Sequence, residues 1–212
     1  MVVKNADGRE ILMTMVNAIH ENKQYLGDID GLIGDGDHGM NMNKGFMTYA
    51  ERMGEDATGF TDGLSDLGMI LLNEIGGSMG PIYGTIFMEM ADAADGEEDI
   101  TLELFGKMLG AGLEGLYGIV DARPGDKTLV DTLCPCVDYI KGAAKENKEY
   151  REALEGMKEC AEKGKESTKD MIAMYGRASR LGERSKGVLD AGAASCCIIL
   201  KAMADGMEKV LK

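Results

Sequence analysis

The sequence predicts an all-α fold, and periodicity, composition and connectivity lead to this prediction. Apolar residues recur at intervals of three or four along most of the chain, and no sustained two-residue alternation indicates a strand. The 212 residues include 17 Met but no Trp, only four Phe and only three Pro, which favours helices with flexible aliphatic side chains. Glycine-rich stretches separate the periodic segments. We therefore expect eight or nine helices, joined by short loops, in one domain over residues 1–212.

The predicted helices follow one another along the whole chain. An apolar stripe from Ile11 to Ile19 marks the first helix, and Asp7 with Glu10 predicts a capping box at its start. Two further stripes run over residues 129–140 and 189–210. The remaining helices are predicted near residues 40–53, 63–75, 82–94, 101–118, 149–164 and 167–175. The acidic segment 92–99 is predicted to be an exposed turn between helices.

Charge and composition exclude several classes of partner. The net charge of −14 leaves no broad basic surface, so neither nucleic acid nor an anionic membrane is expected as a partner. No apolar run approaches the length of a membrane helix and the first residues lack a signal-peptide core, which predicts a cytoplasmic protein. The five cysteines lack the spacing of a zinc site and are expected to be reduced and mainly buried.

The segment from Asp30 to Gly39 sets three carboxylates, those of Asp30, Asp35 and Asp37, among glycines. Glycines permit the turn that lets these acids converge on one hard cation. The spacing does not match the EF-hand calcium loop, whereas an ordinary solvated turn remains an alternative. The following residues look like the first turn of a helix, where free N–H groups favour a phosphate. We therefore interpret this segment as a metal and phosphate site.

Three other glycine-rich loops adjoin polar residues. Residues 76–84 offer free amides and the Ser78 hydroxyl to a phosphate, although such a loop serves helix packing equally well. In residues 123–128, Asp126 is either part of a site or a helix N-cap beside a solvated Lys127. Residues 176–187, called the lid segment below, contain four basic residues and one acid, a net charge of +3. Arginines in such a segment can close over phosphate oxygens, whereas a surface loop paired with nearby acids is the alternative.

Taken together, these loops resemble the L subunit of dihydroxyacetone kinase, the nucleotide-binding half of that enzyme. Neither a P-loop nor a Rossmann fingerprint is present, and two histidines make a serine-type triad improbable. The resemblance runs through four ordered motifs: Asp30-x-x-Ile33-Gly34-Asp35-x-Asp37-His38-Gly39-x-Asn41-Met42-Asn43, Gly76-Gly77-x-x-Gly80-Pro81, Pro124-Gly125-Asp126-Lys127-Thr128, and Gly176-Arg177-Ala178-Ser179-x-Leu181-Gly182-Glu183-Arg184-Ser185 with Asp190-x-Gly192-Ala193.

The resemblance implies a barrel of about eight antiparallel amphipathic helices with the nucleotide site in loops at one end. It implies that Asp30, Asp35 and Asp37 hold two Mg²⁺ ions and, with Arg177, form the catalytic set. The residues implied in binding ADP or ATP are His38, Gly39, Met40, Asn41, Gly77, Ser78, Met79, Leu129, Arg177, Asp190, Ala191 and Gly192. Two positions depart from the family pattern: Ser78-Met79 replaces the more typical Ala-Ser, and Ala191 replaces a proline.

The resemblance further implies a kinase that phosphorylates dihydroxyacetone held on a separate K subunit, so that this chain is inactive alone. The sequence leaves the donor open between free ATP and a bound ADP that a phosphohistidine protein of the phosphotransferase system rephosphorylates. A homodimer is expected. Two alternatives remain: a kinase subunit for a related ketose such as erythrulose, and a non-catalytic nucleotide- or metal-sensing module.

Overall fold

Eight α-helices make up most of the chain in the computed structural model, which describes residues 1–212. They are α1 (Gly8–Ile33), α2 (His38–Met53), α3 (Phe60–Glu74), α4 (Met79–Asp92), α5 (Leu102–Ile119), α6 (Val130–Lys145), α7 (Tyr150–Ser167) and α8 (Ala191–Val210). Two short strands, β1 (Val3–Lys4) and β2 (Asp99–Ile100), pair antiparallel. Short 3₁₀ segments cover Asn5–Asp7, Thr168–Asp170 and Arg177–Ser185. The predicted all-α class and the number of helices are confirmed.

The helices form a closed ring around one apolar core. Each helix packs against the next along the chain, and α8 packs against α1 to complete the barrel. All four Phe side chains are buried in the core, together with many Leu, Ile, Met and Ala side chains. Two glycines permit close helix approach: a Cβ on Gly206 would lie 2.7 Å from the Ile11 Cα, and one on Gly39 would lie 1.9 Å from the Lys23 carbonyl oxygen. The barrel is the predicted antiparallel arrangement of amphipathic helices.

Two predicted local features are wrong. Asp7 makes no side-chain cap at the start of α1 and instead accepts a 2.6 Å hydrogen bond from Lys212 Nζ. The helix predicted over residues 167–175 does not form, because α7 ends at Ser167 and only the short 3₁₀ segment follows. The Thr168 carbonyl there accepts a hydrogen bond from the side chain of Lys127, which lies 41 residues away. In both places a contact remote in sequence overrides the local pattern.

Two further observations bear on the predictions from composition. All five cysteines are free; three are buried and two are partly buried, as expected. None of the helices is both long and apolar enough to cross a membrane. The segment predicted as an exposed turn between helices is mostly exposed from Asp92 to Glu98, and Asp99 begins β2.

Candidate functional site

The loop between α1 and α2 gathers three carboxylates, those of Asp30, Asp35 and Asp37, called the acidic triad below. One carboxylate oxygen from each of the three residues lies within 4.8 Å of one from each of the others. Gly34 makes this turn possible, since a Cβ there would lie 2.3 Å from Asp30 Oδ1. Gly36 has a φ of +78°, which side chains disfavour. The triad offers only oxygen ligands, and this is the donor set that suits a hard divalent cation.

The electrostatics of the triad favour a positive partner. Partial burial raises the pKa of Asp37, and the neighbouring charges of Asp35 and Asp30 raise this pKa further. Arg177 Nη2 lies 2.9 Å from Asp35 Oδ2, so one arginine of the lid segment already pairs with the triad. This ion pair is solvent-accessible, with 64% of the Arg177 side chain and 33% of the Asp35 side chain exposed. A single exposed cation offsets only part of the repulsion among three acids.

A cavity of about 350 Å³ lies beside the acidic triad at one end of the barrel. The first residues of all four even-numbered helices line it: His38 of α2, Met79 of α4, Val130 of α6 and Ala191 of α8. Helix N-termini present unpaired N–H groups and the positive end of the helix dipole. Four of them around one cavity make an anion-binding environment without any broad basic surface.

The same cavity has an apolar side formed by Ile82, Val120, Ala122, Leu129 and Val130. These side chains come from the first turns of α4 and α6 and from the segment after α5. A cavity with one acidic corner, several helix N-termini and one apolar wall fits a ligand that has a charged end and a flat apolar end. A nucleotide with a bound divalent cation has both.

A chain of three buried polar side chains begins at the wall of the cavity. The Nε2 atom of His38 lies 2.8 Å from Ser195 Oγ, and this hydroxyl lies 2.6 Å from the Tyr83 hydroxyl. Burial lowers the pKa of His38 to about 4, although the charge of Asp30 opposes this shift, so the ring is neutral near pH 7. Asp190 caps α8 by accepting a 2.7 Å hydrogen bond from the Ala193 N–H. Burial raises the pKa of Asp190 to about 6.

Lys127 holds the base of the lid segment. Its side chain is buried, and Nζ donates hydrogen bonds of 2.5 Å to the Thr168 carbonyl and 2.6 Å to the Val188 carbonyl. These two carbonyls flank the lid segment in the sequence. The reading of Lys127 as a solvated side chain is therefore wrong. Burial also lowers the pKa of this lysine, which indicates a desolvated ammonium.

The reading of Asp126 as a helix N-cap is also wrong. Asp126 Oδ2 accepts a 2.7 Å hydrogen bond from the Arg123 N–H and does not cap α6. The carboxylate of Asp131, inside the first turn of α6, instead accepts hydrogen bonds of 2.5 Å from the Gly125 N–H and 2.7 Å from the Thr128 N–H. Asp131 thereby fixes the turn that carries Lys127.

The structure brings together most of the residues that the sequence pointed to. Those that line the cavity are Asp30, Asp35, Asp37, His38, Ser78, Met79, Leu129, Arg177, Asp190, Ala191 and Gly192. The cavity lining does not include Gly39, Met40, Asn41 or Gly77. Gly39 is instead packed against α1, and the Met40 side chain is 60% exposed.

Sequence reasoning missed Tyr83, which lines the cavity, Ser195, which contacts it from within the barrel, and the buried role of Lys127. Tyr83 and Ser195 each carry a hydroxyl within an otherwise apolar stretch of a predicted helix. A polar group in such a position needs a partner once it is buried, and this is the signal that marks it. For Lys127 the sequence holds no comparable signal.

Comparison with known proteins adds a family and several relatives. The DAK2 domain family matches residues 32–205. An Escherichia coli (strain K12) protein named PEP-dependent dihydroxyacetone kinase, ADP-binding subunit DhaL, is 39% identical over 184 residues, which cover 85% of this chain and 87% of that protein. The PTS-dependent dihydroxyacetone kinase, ADP-binding subunit DhaL, of Lactococcus lactis is 32% identical and covers 87% of this chain and 88% of its own length.

Longer proteins share the same region. An L-erythrulose kinase of Pectobacterium atrosepticum is 30% identical over 86% of this chain, but the match spans only 31% of that protein. Among solved structures, the dihydroxyacetone kinase from C. freundii in complex with AMP-PNP and Mg²⁺ has a TM-score of 0.69 at 21% identity. That match covers 97% of this chain and 34% of the C. freundii chain. At this identity, the likeness shows a shared helical barrel.

Proposed function

This chain belongs to the family of ADP-binding subunits of dihydroxyacetone kinase, and we propose that it binds a magnesium-bound nucleotide and transfers a phosphoryl group to dihydroxyacetone held on a separate K subunit. One observation carries the proposal: the acidic triad lies beside a cavity at which four helices begin. Phosphoryl transfer requires alignment and charge neutralisation more than covalent chemistry by the protein. The arrangement supplies the groups for both.

The acidic triad is proposed to hold two Mg²⁺ ions. The fit depends on the donor set, because three converging carboxylates suit hard divalent cations. The raised pKa of Asp37 beside the charges of Asp35 and Asp30 also indicates that a bound cation would relieve repulsion. When bound, such ions would neutralise the negative charge that develops on the phosphate oxygens during transfer. The carboxylates themselves set the position of the ions, and the glycines of the loop set the position of the carboxylates.

The remaining residues are proposed to bind and orient the nucleotide. The N-terminal amides of α2 and α4, with His38, Ser78 and Met79, face the phosphates. The apolar wall that includes Leu129 receives the base, and the first turn of α8 closes the pocket at Ala191 and Gly192. Arg177 on the lid segment contacts phosphate oxygens and keeps water from the transferring group.

We propose bound ADP as the coenzyme, rephosphorylated by a phosphohistidine protein of the phosphotransferase system. Two relatives that match this chain over most of their own length are named PEP-dependent or PTS-dependent and ADP-binding. The erythrulose kinase relatives are instead longer chains, of which this chain covers about a third. Because the acceptor is proposed to bind to another subunit, the K subunit decides between dihydroxyacetone and a related ketose.

The proposal is tested with purified chain, a K subunit and dihydroxyacetone. We expect ADP to remain bound through purification and phosphoryl transfer to occur with phosphoenolpyruvate and the phosphotransferase proteins. Reactions without the K subunit, or with erythrulose in place of dihydroxyacetone, are the controls. Transfer with ATP alone would contradict the coenzyme assignment. Nucleotide binding without transfer from either donor would favour the non-catalytic module.

A further inference from the structure

Three polar side chains from three helices meet at the wall of the cavity, which His38 and Tyr83 line and behind which Ser195 is buried. His38 begins α2, Tyr83 lies in the first half of α4 and Ser195 lies in the first turns of α8. Ser195 is fully buried, Tyr83 is 3% exposed and His38 is 8% exposed. Ser195 Oγ contacts both His38 Nε2, at 2.8 Å, and the Tyr83 hydroxyl, at 2.6 Å. The serine therefore connects the tyrosine to the histidine.

One nitrogen of the His38 ring remains free for a ligand. Nε2 is engaged with Ser195, whereas Nδ1 has no hydrogen-bond partner within the protein. Only two buried polar side-chain atoms lack a partner, the Tyr150 hydroxyl and Glu208 Oε1. Nδ1 is not one of them, so it keeps accessible surface, and His38 lines the cavity. Nδ1 is thus the ring nitrogen that is available to a ligand in this cavity.

The positions of the protons among His38, Ser195 and Tyr83 follow from the distances between their polar atoms and from the groups around them. The hydroxyl of Ser195 has three possible acceptors within reach: the Tyr83 hydroxyl at 2.6 Å, His38 Nε2 at 2.8 Å and the Gly192 carbonyl at 3.1 Å. Of these three, only the ring nitrogen lacks another partner, because the Tyr83 hydroxyl and the Gly192 carbonyl also lie 3.1 Å from each other. The Asp30 carboxylate accepts a 3.3 Å hydrogen bond from the His38 backbone N–H, and a neighbouring negative charge favours an N–H over a lone pair at the ring nitrogen that Ser195 leaves free.

We propose that Ser195, supported by Tyr83, is a positioning residue that holds His38 in the Nδ1–H form, so that the ring donates a hydrogen bond to a phosphate oxygen of the nucleotide. Ser195 donates to Nε2, and Tyr83 donates to Ser195. A donor aimed by buried partners loses little conformational entropy when the ligand arrives. The phosphate part of this inference rests on the proposed function, while the tautomer is a property of the protein without ligand.

Nitrogen NMR of histidine tests the tautomer directly. The chain contains two histidines, and the exposed His20, bound to Asn43 Oδ1 at 2.9 Å, is an internal control. In nucleotide-free, metal-free protein labelled with ¹⁵N-histidine, we expect a protonated Nδ1 and an unprotonated Nε2 for His38. Ser195→Ala should shift His38 away from this form and leave His20 unchanged, and Ser195→Thr should restore it. Protonated Nε2 in the wild type, or an Ala variant without effect, would overturn the proposal.

A double-mutant cycle tests the link to the ligand, with Mg-ADP as the probe. Ser195→Ala should weaken Mg-ADP binding about tenfold, the size of one hydrogen bond to a charged group. In a His38→Ala background the same change should have no further effect, because Ser195 acts through the ring. Equal losses in both backgrounds would show a general structural role and refute the proposal. If even the wild type fails to bind Mg-ADP, the proposed function fails, whereas the NMR result still decides the tautomer.

Discussion

Replacement of Lys127 by methionine removes the cation that connects the residues on either side of the lid segment, Thr168 before it and Val188 after it. Methionine retains much of the apolar stem, but the carbonyls of Thr168 and Val188 lose their charged donor. Asp190 also loses a positive neighbour that lowers its pKa. The change therefore leaves the Val188 carbonyl without a donor, whereas the Thr168 carbonyl keeps only a 3.3 Å hydrogen bond from the Met171 N–H. The loss of a partner by a buried polar group is among the most costly outcomes of a single substitution.

The magnitude follows from two charge-assisted hydrogen bonds in a buried setting. Each such bond contributes about 1.5–3 kcal/mol, so the loss of both costs about 3–5 kcal/mol, since the Thr168 carbonyl keeps a weaker donor. For a chain of 212 residues, a loss of this size lowers the melting temperature by about 6–20 °C. We expect Lys127→Met to fall within this range in nucleotide-free protein.

The assay is thermal unfolding followed by far-UV circular dichroism, since the chain contains no Trp for fluorescence. Lys163→Met is the matched control: this lysine is 79% exposed and pairs only with Glu159 on the same helix, at 3.7 Å. Such a pair contributes at most about 0.5 kcal/mol. If Lys127→Met melts within about 2 °C of the Lys163→Met control, the buried hydrogen bonds do not hold the base of the lid segment.

Three further predictions concern the acidic triad and Arg177. We expect calorimetric binding of Mg-ADP to be abolished by Asp30→Asn, Asp35→Asn or Asp37→Asn, while the helical circular dichroism signal persists. The control variant at an exposed position, Asp28→Asn, should bind Mg-ADP normally. Wild-type affinity in a triad variant would refute the metal assignment. Chelation with EDTA should lower the melting temperature of nucleotide-loaded protein by about 5–10 °C, since ligand at a hundredfold excess over Kd contributes about 2.7 kcal/mol; an unchanged melting curve would indicate a merely solvated loop. Arg177→Lys should slow phosphoryl transfer and speed ADP release in stopped-flow measurements, because an ammonium cannot bind phosphate bidentately. The melting temperature of the variant without nucleotide should not change. Wild-type rates of transfer and release would exclude Arg177 as the lid residue.

The helices were predictable because each buries an apolar stripe, and the spacing of three or four residues within that stripe can be recognised in a short stretch of sequence. The failures share one physical cause, which is a partner remote in the chain. Asp7 is bound by Lys212 rather than by the start of α1, and Lys127 is buried because carbonyls from residues 168 and 188 surround its ammonium. No pattern near either residue encodes these contacts.

In the candidate site, too, the predictions succeeded for residues that are close in sequence and failed for residues that are distant. Asp30, Asp35 and Asp37 lie within eight residues of one another, so glycine and carboxylate spacing alone indicated that they converge. Ser195 approaches His38 across 157 residues, and this contact exists only when α8 closes the barrel. Sequence reasoning therefore finds the parts of a site that one loop carries, and it misses the groups that several helices assemble.

The ion pair between Arg177 and Asp35 makes the lid segment a competitor of any cation that the acidic triad is proposed to hold. The same carboxylate cannot serve the guanidinium and a cation equally, so occupancy of the triad and release of Arg177 are thermodynamically linked. This linkage is reciprocal. The ion pair lowers the affinity of the triad for a cation by the same factor by which a bound cation weakens the ion pair between Arg177 and Asp35. Because the pair is solvent-accessible, it is worth at most about 1 kcal/mol. The coupling is thus weak enough for each catalytic cycle to reverse it.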